Sequence, residues 1–167
     1  METFEQIPLF QGLTLDQVDL LRPIVVSYDC FDGTVLFEQG EPAVFLYLVL
    51  SGEIQIQYKP DDGPPITVSR VHAGGIIGWS AVIGRATYTS AAICEGQTRM
   101  LRLRGSDLRE LREKCPETGA LILERMANSV AERLKNANPQ VIALLQKSLS
   151  EVKRFQENEH GNTRPDW

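Results

Sequence analysis

The sequence contains little cysteine and histidine. Its 167 residues include three cysteines, Cys30, Cys94 and Cys115, and two histidines, His72 and His160. The cysteines are scattered and form no Cys-x-x-Cys pair, so they indicate neither a disulfide framework nor a zinc site, and we expect reduced core residues. Two histidines are too few for the clustered ligands of a metal-dependent jelly-roll enzyme. No nucleophile lies in a pattern with a base. We therefore predict no metal site, no catalytic residue and no enzymatic activity.

Long apolar runs and an excess of basic residues are also missing. No apolar run approaches the ~20 residues that span a bilayer, and the start of the chain lacks the basic residues of a signal peptide. A cytoplasmic protein without membrane contact is the expectation. The net charge of -5 argues against a large nucleic-acid footprint, because such a footprint needs a basic face.

Hydrophobic residues make up 43% of the chain, enough for the core of one compact domain. Residues 24–104 contain short β-rich runs separated by turn residues. The predicted strands are Ile24–Phe31, Thr34–Phe37, Phe45–Leu50, Glu53–Tyr58, Ile66–Ser69, Ser90–Cys94 and Arg99–Leu103. Ser51-Gly52 is predicted to turn one strand into the next, and Asp61-Asp62-Gly63 to form a hairpin tip at which Gly63 has a positive φ. Many short antiparallel strands predict a closed or rolled sandwich.

Helices are predicted on both sides of this region. Thr14 and Gln17 form a capping-box pattern at the start of a short helix that Pro23 ends. Ser106 is predicted to cap a later helix, and Pro116 to begin another. The apolar residues that follow recur at spacings of three and four and comprise Leu123, Met126, Ala127, Val130, Leu134 and Ala137.

Because a closed roll leaves little surface to cover, we expect this apolar seam to pair with a second copy. The predicted homodimer contacts are Leu123, Met126, Val130 and Leu134. Asn138-Pro139 matches an N-cap followed by proline, and predicts one more helix. The predicted organisation is a β-roll domain with its helix at 1–137, an additional helix at 138–156 and a loose tail at 157–167.

The stretch Gly74–Ala92 separates the two strand-rich halves. Its glycines permit backbone angles closed to other residues, and Trp79–Ile83 is long enough for one helical turn. The first amides of a helix lack intrahelical partners and attract anions. The stretch is therefore either an anion site or a structural turn packed by Trp79.

Several motifs resemble the cyclic nucleotide-binding domain of the catabolite activator protein (Crp/Fnr-like) family. They are Pro8–Leu13, Asp32-Gly33, Leu36–Glu41, Tyr47–Glu53 and Gly78. The resemblance covers residues 8 to about 137. It implies a mainly β fold with flanking helices, namely a double-stranded β-helix (jelly roll or β-roll) with a short N-terminal helix and long C-terminal dimerisation helices. The stretch Gly74–Ala92 falls where this family keeps its phosphate-binding cassette.

The cassette departs from the family pattern at its two most important positions. The family's glutamate, which accepts from the ribose, is replaced by Trp79, and its phosphate-binding arginine by Tyr88, although Gly78, Ser80 and Ala81 are kept. Trp79 and Tyr88 are either plugs of an abandoned pocket or a stacking platform for another ligand. Arg85, the one cation inside the cassette, either binds a displaced anion or is a solvated loop residue. The candidate ligand-binding residues are Gly78, Trp79, Ser80, Ala81, Arg85, Tyr88 and Thr89.

The resemblance predicts a regulatory module that senses a cyclic nucleotide or another small anionic ligand and signals through a helical dimer interface. The alternative is an interaction or scaffold module that has lost nucleotide binding. No cofactor is predicted beyond a cyclic nucleotide as candidate ligand. Residues 140–167 suffice for one helix and a tail, so we expect no winged-helix domain and no DNA binding by this chain alone.

Overall fold

A computed structural model describes residues 4–135 of the chain. The α-helices are α1 (Leu15–Leu21), α2 (Trp79–Val82), α3 (Gly105–Lys114) and α4 (Pro116–Lys135). The strands are β1 (Val26–Cys30), β2 (Val35–Phe37), β3 (Phe45–Tyr58), β4 (Ile66–Val71), β5 (Ile76–Ile77) and β6 (Ala91–Arg104). Short 3₁₀ turns cover Phe4–Gln6, Pro8–Phe10 and Arg22–Ile24. No helix in this part of the chain is long and apolar enough to cross a membrane.

All strand pairs are antiparallel, and the sheet runs in the order β1-β6-β3-β4, with β2 also on β6 and β5 also on β3. The two long strands, β3 and β6, form the spine to which the short strands are added. The prediction of a mainly β jelly roll with flanking helices is confirmed.

The predicted turn at Ser51-Gly52 is wrong, because β3 continues through it. The register between β3 and β6 shifts at Ser51 instead, which marks an irregularity within a continuous pair. Gly52 has a φ of +91°, and a Cβ there would lie 2.7 Å from the carbonyl oxygen of Gln97. A glycine in a strand therefore marked a bulge, which bends a strand without ending its pairing. The break predicted between Cys94 and Arg99 likewise lies inside β6.

The predictions of helix caps and of the hairpin turn were confirmed in part. The capping box of Thr14 and Gln17 is confirmed, with both reciprocal hydrogen bonds present. The β3–β4 hairpin is confirmed by its pairing, but Gly63 is not among the described glycines with positive φ. Ser106 does not cap α3, because the helix already begins at Gly105 and no side chain caps it.

The sheet buries a core on each of its two faces. The helix-side core joins the sheet to the N-terminal turns, α3 and α4, and includes Phe10, Leu46, Leu48, Leu103, Leu108, Ile122 and Met126. The roll core lies inside the β-roll and includes Cys30, Phe37, Tyr47, Val49, Ile54, Ile77, Tyr88 and Met100. Alternation along β3 explains the division, since Leu46 and Leu48 face the helices whereas Tyr47 and Val49 face the roll.

Two residues of the predicted dimer seam are buried within the single chain. Met126 is 0% exposed in the helix-side core and Val130 is 6% exposed. The prediction that these two residues face a second copy is therefore wrong. A closed roll was expected to need no cover, but the second face of the sheet needs one, and α4 supplies part of it. Leu123 is half-buried against the same core.

Other parts of the prediction lie outside the described residues. They are Ala137 of the seam, the additional helix at 138–156 and the tail at 157–167, while of Leu134 the backbone alone is described.

Cys30 and Cys94 form a disulfide, so the expectation of reduced cysteines is wrong for this pair. Cys115 is a free thiol. Antiparallel packing around β6 brings the two half-cystines together across a sequence separation of 64 residues, which their spacing alone could not reveal.

An arginine joins the N-terminal turns to α4. The guanidinium of Arg125 donates to the carbonyl oxygen of Leu9 at 2.8 Å and to that of Gln11 at 2.7 Å. The first residues of the fold are thus held against the helical end of the molecule.

Candidate functional site

Within the cassette stretch Gly74–Ala92, the short helix α2 follows β5. Gly78 has a φ of +81° and precedes α2, which confirms the predicted short helix at Trp79. A Cβ at Gly78 would lie 2.5 Å from the carbonyl oxygen of Phe45. The glycine is therefore required twice, for its left-handed backbone and for the close approach of the cassette to β3.

The end of the cassette is hydrogen-bonded to the segment that leads into β3. The amide of Ala43 donates to the carbonyl oxygen of Ala86 at 3.0 Å. Tyr88 donates to Glu41 and accepts from the amide of Gly40, both at 2.9 Å. Main-chain contacts thus fix the loop irrespective of its side chains.

Tyr88 fills the roll core. Its ring stacks on Phe37 with centroids 3.7 Å apart, and the residue is 5% exposed. Its hydroxyl donates to the carbonyl oxygen of Phe45 at 2.7 Å and accepts from the Phe45 amide at 2.9 Å. Burial raises the pKa of this hydroxyl, against the lowering effect of its backbone partners. These contacts favour the plug over the stacking platform.

Trp79 lies in the other core. Its ring packs against the helix-side core, and its Nε1 is buried without a hydrogen-bond partner in the described part of the chain. Trp79 and Tyr88 therefore do not form one aromatic surface, although only eight residues separate them. Cassette side chains point towards both faces of the fold.

The remaining predicted site residues differ in exposure. Ser80 and Ala81 are buried, and Thr89 is exposed. Arg85 is half-buried, and its amide donates to the carbonyl oxygen of Ser80 at 3.0 Å. Arg85 is therefore in part open to solvent, and both interpretations of this residue stay predictions.

Two arginines from the helices bind the cassette's main chain. Arg109 of α3 donates to the carbonyl oxygen of Ala81 at 2.6 Å, and Arg133 of α4 donates to that of Ile76 at 2.9 Å. Burial lowers the pKa of the Arg133 guanidinium. Sequence reasoning missed both residues, although Arg133 lies two helical turns after Met126 and hence on the buried face of α4.

A group of aromatic and basic residues at the start of β3 was also missed. The Arg102 guanidinium carbon lies 4.2 Å from the ring centroid of Phe45 and 4.7 Å from that of Tyr28. The Arg104 guanidinium carbon lies 5.5 Å from the Phe45 centroid. Burial, helped by the Tyr88 and Tyr28 hydroxyls, raises the pKa of nearby Tyr47 to about 12, although Arg102 opposes the shift. The available signal was the alternation of arginines along β6.

A groove of about 510 Å³ lies beside the end of β3 and the start of β6, and Ala91, near the end of the stretch Gly74–Ala92, is among its lining residues. Its lining includes Val35, Gln57, Lys59, Pro65 and Ile93, and none of the predicted site residues. Among residues 4–135, no group of three or more histidine, cysteine or acidic side chains could hold a metal ion.

Comparison with known proteins gives a consistent result. The family model described as "Cyclic nucleotide-binding domain" matches residues 31–115. The cyclic AMP receptor protein of Thermus thermophilus is 27% identical over 131 residues, which are 78% of this chain and 59% of that protein. An acetyltransferase of Mycolicibacterium smegmatis is 38% identical over 73 residues, which are 44% of this chain and 20% of that protein.

A solved structure from Geobacter metallireducens has a TM-score of 0.69 at 28% identity, and the match covers 80% of this chain and 99% of that one. The chain spans 29% and 59% of the length of two of the curated relatives that it matches.

Proposed function

The chain belongs to the cyclic nucleotide-binding domain family, and from this premise we propose that it is a regulatory module for a cyclic nucleotide or another small anionic ligand. One observation carries the proposal. The cassette is hydrogen-bonded to both C-terminal helices, through Arg109 and Arg133. A ligand that moves the cassette therefore acts directly on α3 and α4.

The proposed binding segment remains the cassette as predicted from the sequence. Its candidate residues are Gly78, Trp79, Ser80, Ala81, Arg85, Tyr88 and Thr89. We propose no catalytic activity for this module, because the acetyltransferase match spans only 20% of that enzyme.

Cyclic AMP should bind weakly compared with relatives that have both the glutamate and the arginine. Loss of a charge-assisted hydrogen bond to phosphate costs about 1.5–3 kcal/mol, and loss of the ribose contact a similar amount. Together, where no other cation takes the place of the arginine, they correspond to roughly two to four decades of affinity.

Trp79 offers a direct measurement, because the sequence has one other tryptophan, Trp167. In Trp167→Phe, the fluorescence of Trp79 would be titrated with cyclic AMP, cyclic GMP and a cyclic dinucleotide. A saturable response in the micromolar to millimolar range supports the proposal. Nanomolar binding of cyclic AMP would contradict the predicted weakening. The change in affinity in Arg85→Ala would measure how much Arg85 contributes to binding.

The alternative function is a scaffold module without a ligand. It is favoured by Tyr88, whose ring and hydroxyl are both engaged inside the roll core. Failure of every nucleotide to change the fluorescence of Trp79 or the melting temperature would select this alternative.

We propose that signalling uses a homodimer, with the exposed face of α4 as the contact. Met126 and Val130 are buried, but Ala120, Glu124, Ala127 and Ala131 form an exposed stripe on the same helix. Ala127→Glu should shift the mass in light scattering from dimer to monomer, because it places a charge in the contact. Asn128→Glu adds the same charge about 100° round the helix and should leave the dimer intact. A monomeric parent protein at tens of micromolar would reject the dimer.

Absence of DNA binding by this chain alone stays a prediction. A gel shift with genomic fragments at physiological salt checks it, and a specific nanomolar complex would contradict it.

A further inference from the structure

The cassette has no cation at Tyr88, but two arginines of β6 contact Phe45, the residue to which the Tyr88 hydroxyl is hydrogen-bonded. Arg102 and Arg104 lie two residues apart on β6, so their side chains leave the same face of the strand. They pair in register with Tyr47 and Phe45 of β3. This is the face that continues into the roll core, through Met100.

Both guanidinium groups are held in place but not neutralised. Arg102 contacts the rings of both Tyr28 and Phe45, and Arg104 approaches the Phe45 ring at 5.5 Å. No carboxylate of residues 4–135 forms an ion pair with either guanidinium. Arg102 is half-buried and Arg104 is exposed, so both remain accessible to a small anion. Stacking on an aromatic ring leaves the donors at the guanidinium edge available for an oxyanion.

Phe45 connects these arginines to the cassette. Its carbonyl oxygen accepts from the Tyr88 hydroxyl at 2.7 Å and is approached closely by Gly78. Its ring contacts the guanidinium groups of Arg102 and Arg104. The same residue therefore supports the cassette through its backbone and the two cations through its side chain.

We infer that Arg102 and Arg104 together bind the phosphate of the ligand, in place of the arginine missing at Tyr88. The inference rests on the proposed function and deepens it, because it assigns the phosphate contact to β6 rather than to Arg85. The ligand class is a nucleotide held through its phosphate at the edge of the cassette.

The experiment is isothermal titration of the full chain with cyclic AMP and, separately, with pyrophosphate. Arginine Nε–Hε resonances are followed by NMR. The test variants are Arg102→Gln and Arg104→Gln. The matched control is Arg99→Gln, which removes the same charge from the opposite face of β6, where Arg99 is paired with Asp29 at 3.9 Å. Arg102→Lys keeps the charge but loses the planar stacking group.

Arg102→Gln and Arg104→Gln should each weaken cyclic AMP binding by roughly 10- to 100-fold, since each removes a charge-assisted contact. Arg99→Gln should change it less than twofold, and Arg102→Lys should retain part of the binding. If Arg102→Gln unfolds the roll, Arg104→Gln and Arg102→Lys decide the question.

Four outcomes separate this inference from the proposed function. Cyclic AMP binding that depends on Arg102 and Arg104 supports both. Cyclic AMP binding that is indifferent to both variants overturns the inference and leaves the proposed function standing. Pyrophosphate that shifts only the Arg102 and Arg104 resonances, with no response to cyclic AMP, supports the phosphate site and rejects cyclic AMP as its ligand. No binding of either probe at millimolar concentration rejects both.

Discussion

Two cassette glycines with similar backbone angles have different surroundings. Gly78 and Gly84 have φ values of +81° and +75°, but a Cβ at Gly78 would lie 2.5 Å from the Phe45 carbonyl oxygen, whereas a Cβ at Gly84 meets nothing within 4 Å. Gly84→Ala should therefore cost only the left-handed strain, about 1–2 kcal/mol. Gly78→Ala should cost distinctly more, because β3 and the cassette must move apart. Urea unfolding of both variants measures the difference, and equal losses would contradict the close approach.

The hydroxyl of Tyr88 is the next feature at the residue scale. Tyr88→Phe keeps the stacking on Phe37 but leaves the amide and carbonyl of Phe45 without this partner. A buried backbone group without its partner costs about 1–3 kcal/mol, so the free energy of unfolding should fall by this amount. Tyr58→Phe, which removes a hydroxyl from the far end of β3, serves as the control. An unchanged midpoint in Tyr88→Phe would show that water replaces the hydroxyl.

At the scale of elements, α2 is a single helical turn that packs against α3. Gly105 of α3 lies so close that a Cβ there would clash with the Ala81 carbonyl oxygen. That same oxygen accepts from Arg109 at 2.6 Å. A four-residue helix has little stability of its own, so its order depends on these contacts.

Arg109→Met should therefore loosen α2 without unfolding the protein. A hydrogen bond from a charged group contributes about 1.5 kcal/mol or more, which corresponds to about tenfold faster amide exchange at Ala81 and Ile83. Hydrogen exchange read by NMR tests this, with Arg112→Met on the exposed face of α3 as control. Unchanged exchange rates would mean that packing alone holds α2.

The elements also show what the sequence could and could not predict. Local signals succeeded where the physics is local, as in the reciprocal capping of Thr14 and Gln17. The turn predicted at Gly52 was wrong, because a glycine with positive φ occurs in bulges as well as in turns. Which of the two forms depends on the pairing with β6, which is far away in the sequence. Met126 was correctly read as part of an apolar stripe, but whether a stripe covers the same chain or another depends on how much sheet is left uncovered.

The short helix of the cassette was predictable from the sequence, but the contacts of the candidate site were not. The order of glycines located this helix. The roles of Tyr88 and Arg102 could not be predicted, because both depend on Phe45, which is 43 residues from the first and 57 from the second in the numbering of the chain. Such partners are fixed by the antiparallel register of β3 and β6 and not by any local pattern.

For the whole molecule, the Cys30–Cys94 disulfide is the one covalent link across the roll among the described residues. Closing a loop with a sequence separation of 64 residues should stabilise the fold by about 4 kcal/mol in the chain-entropy estimate. Urea unfolding with and without a dithiol reductant should show a loss of this order. The double variant Cys30→Ala/Cys94→Ala cannot form the disulfide, so its stability should be close to that of the reduced parent and should not respond to the reductant. If the reductant does not change the free energy of unfolding of the parent protein, the Cys30–Cys94 pair is not oxidised in solution.

The helical arginines have a consequence for how this molecule can change over evolutionary time. Arg109, Arg125 and Arg133 bind carbonyl oxygens, which every amino acid provides. Substitution at Ile76 or Ala81 changes the side chain without deleting the carbonyl oxygen that ties the cassette to the helices. If the proposed function holds, ligand preference depends on side chains and the link to the helices depends on backbone atoms. Side chains of the cassette can then be exchanged over evolutionary time while its connection to α3 and α4 is kept.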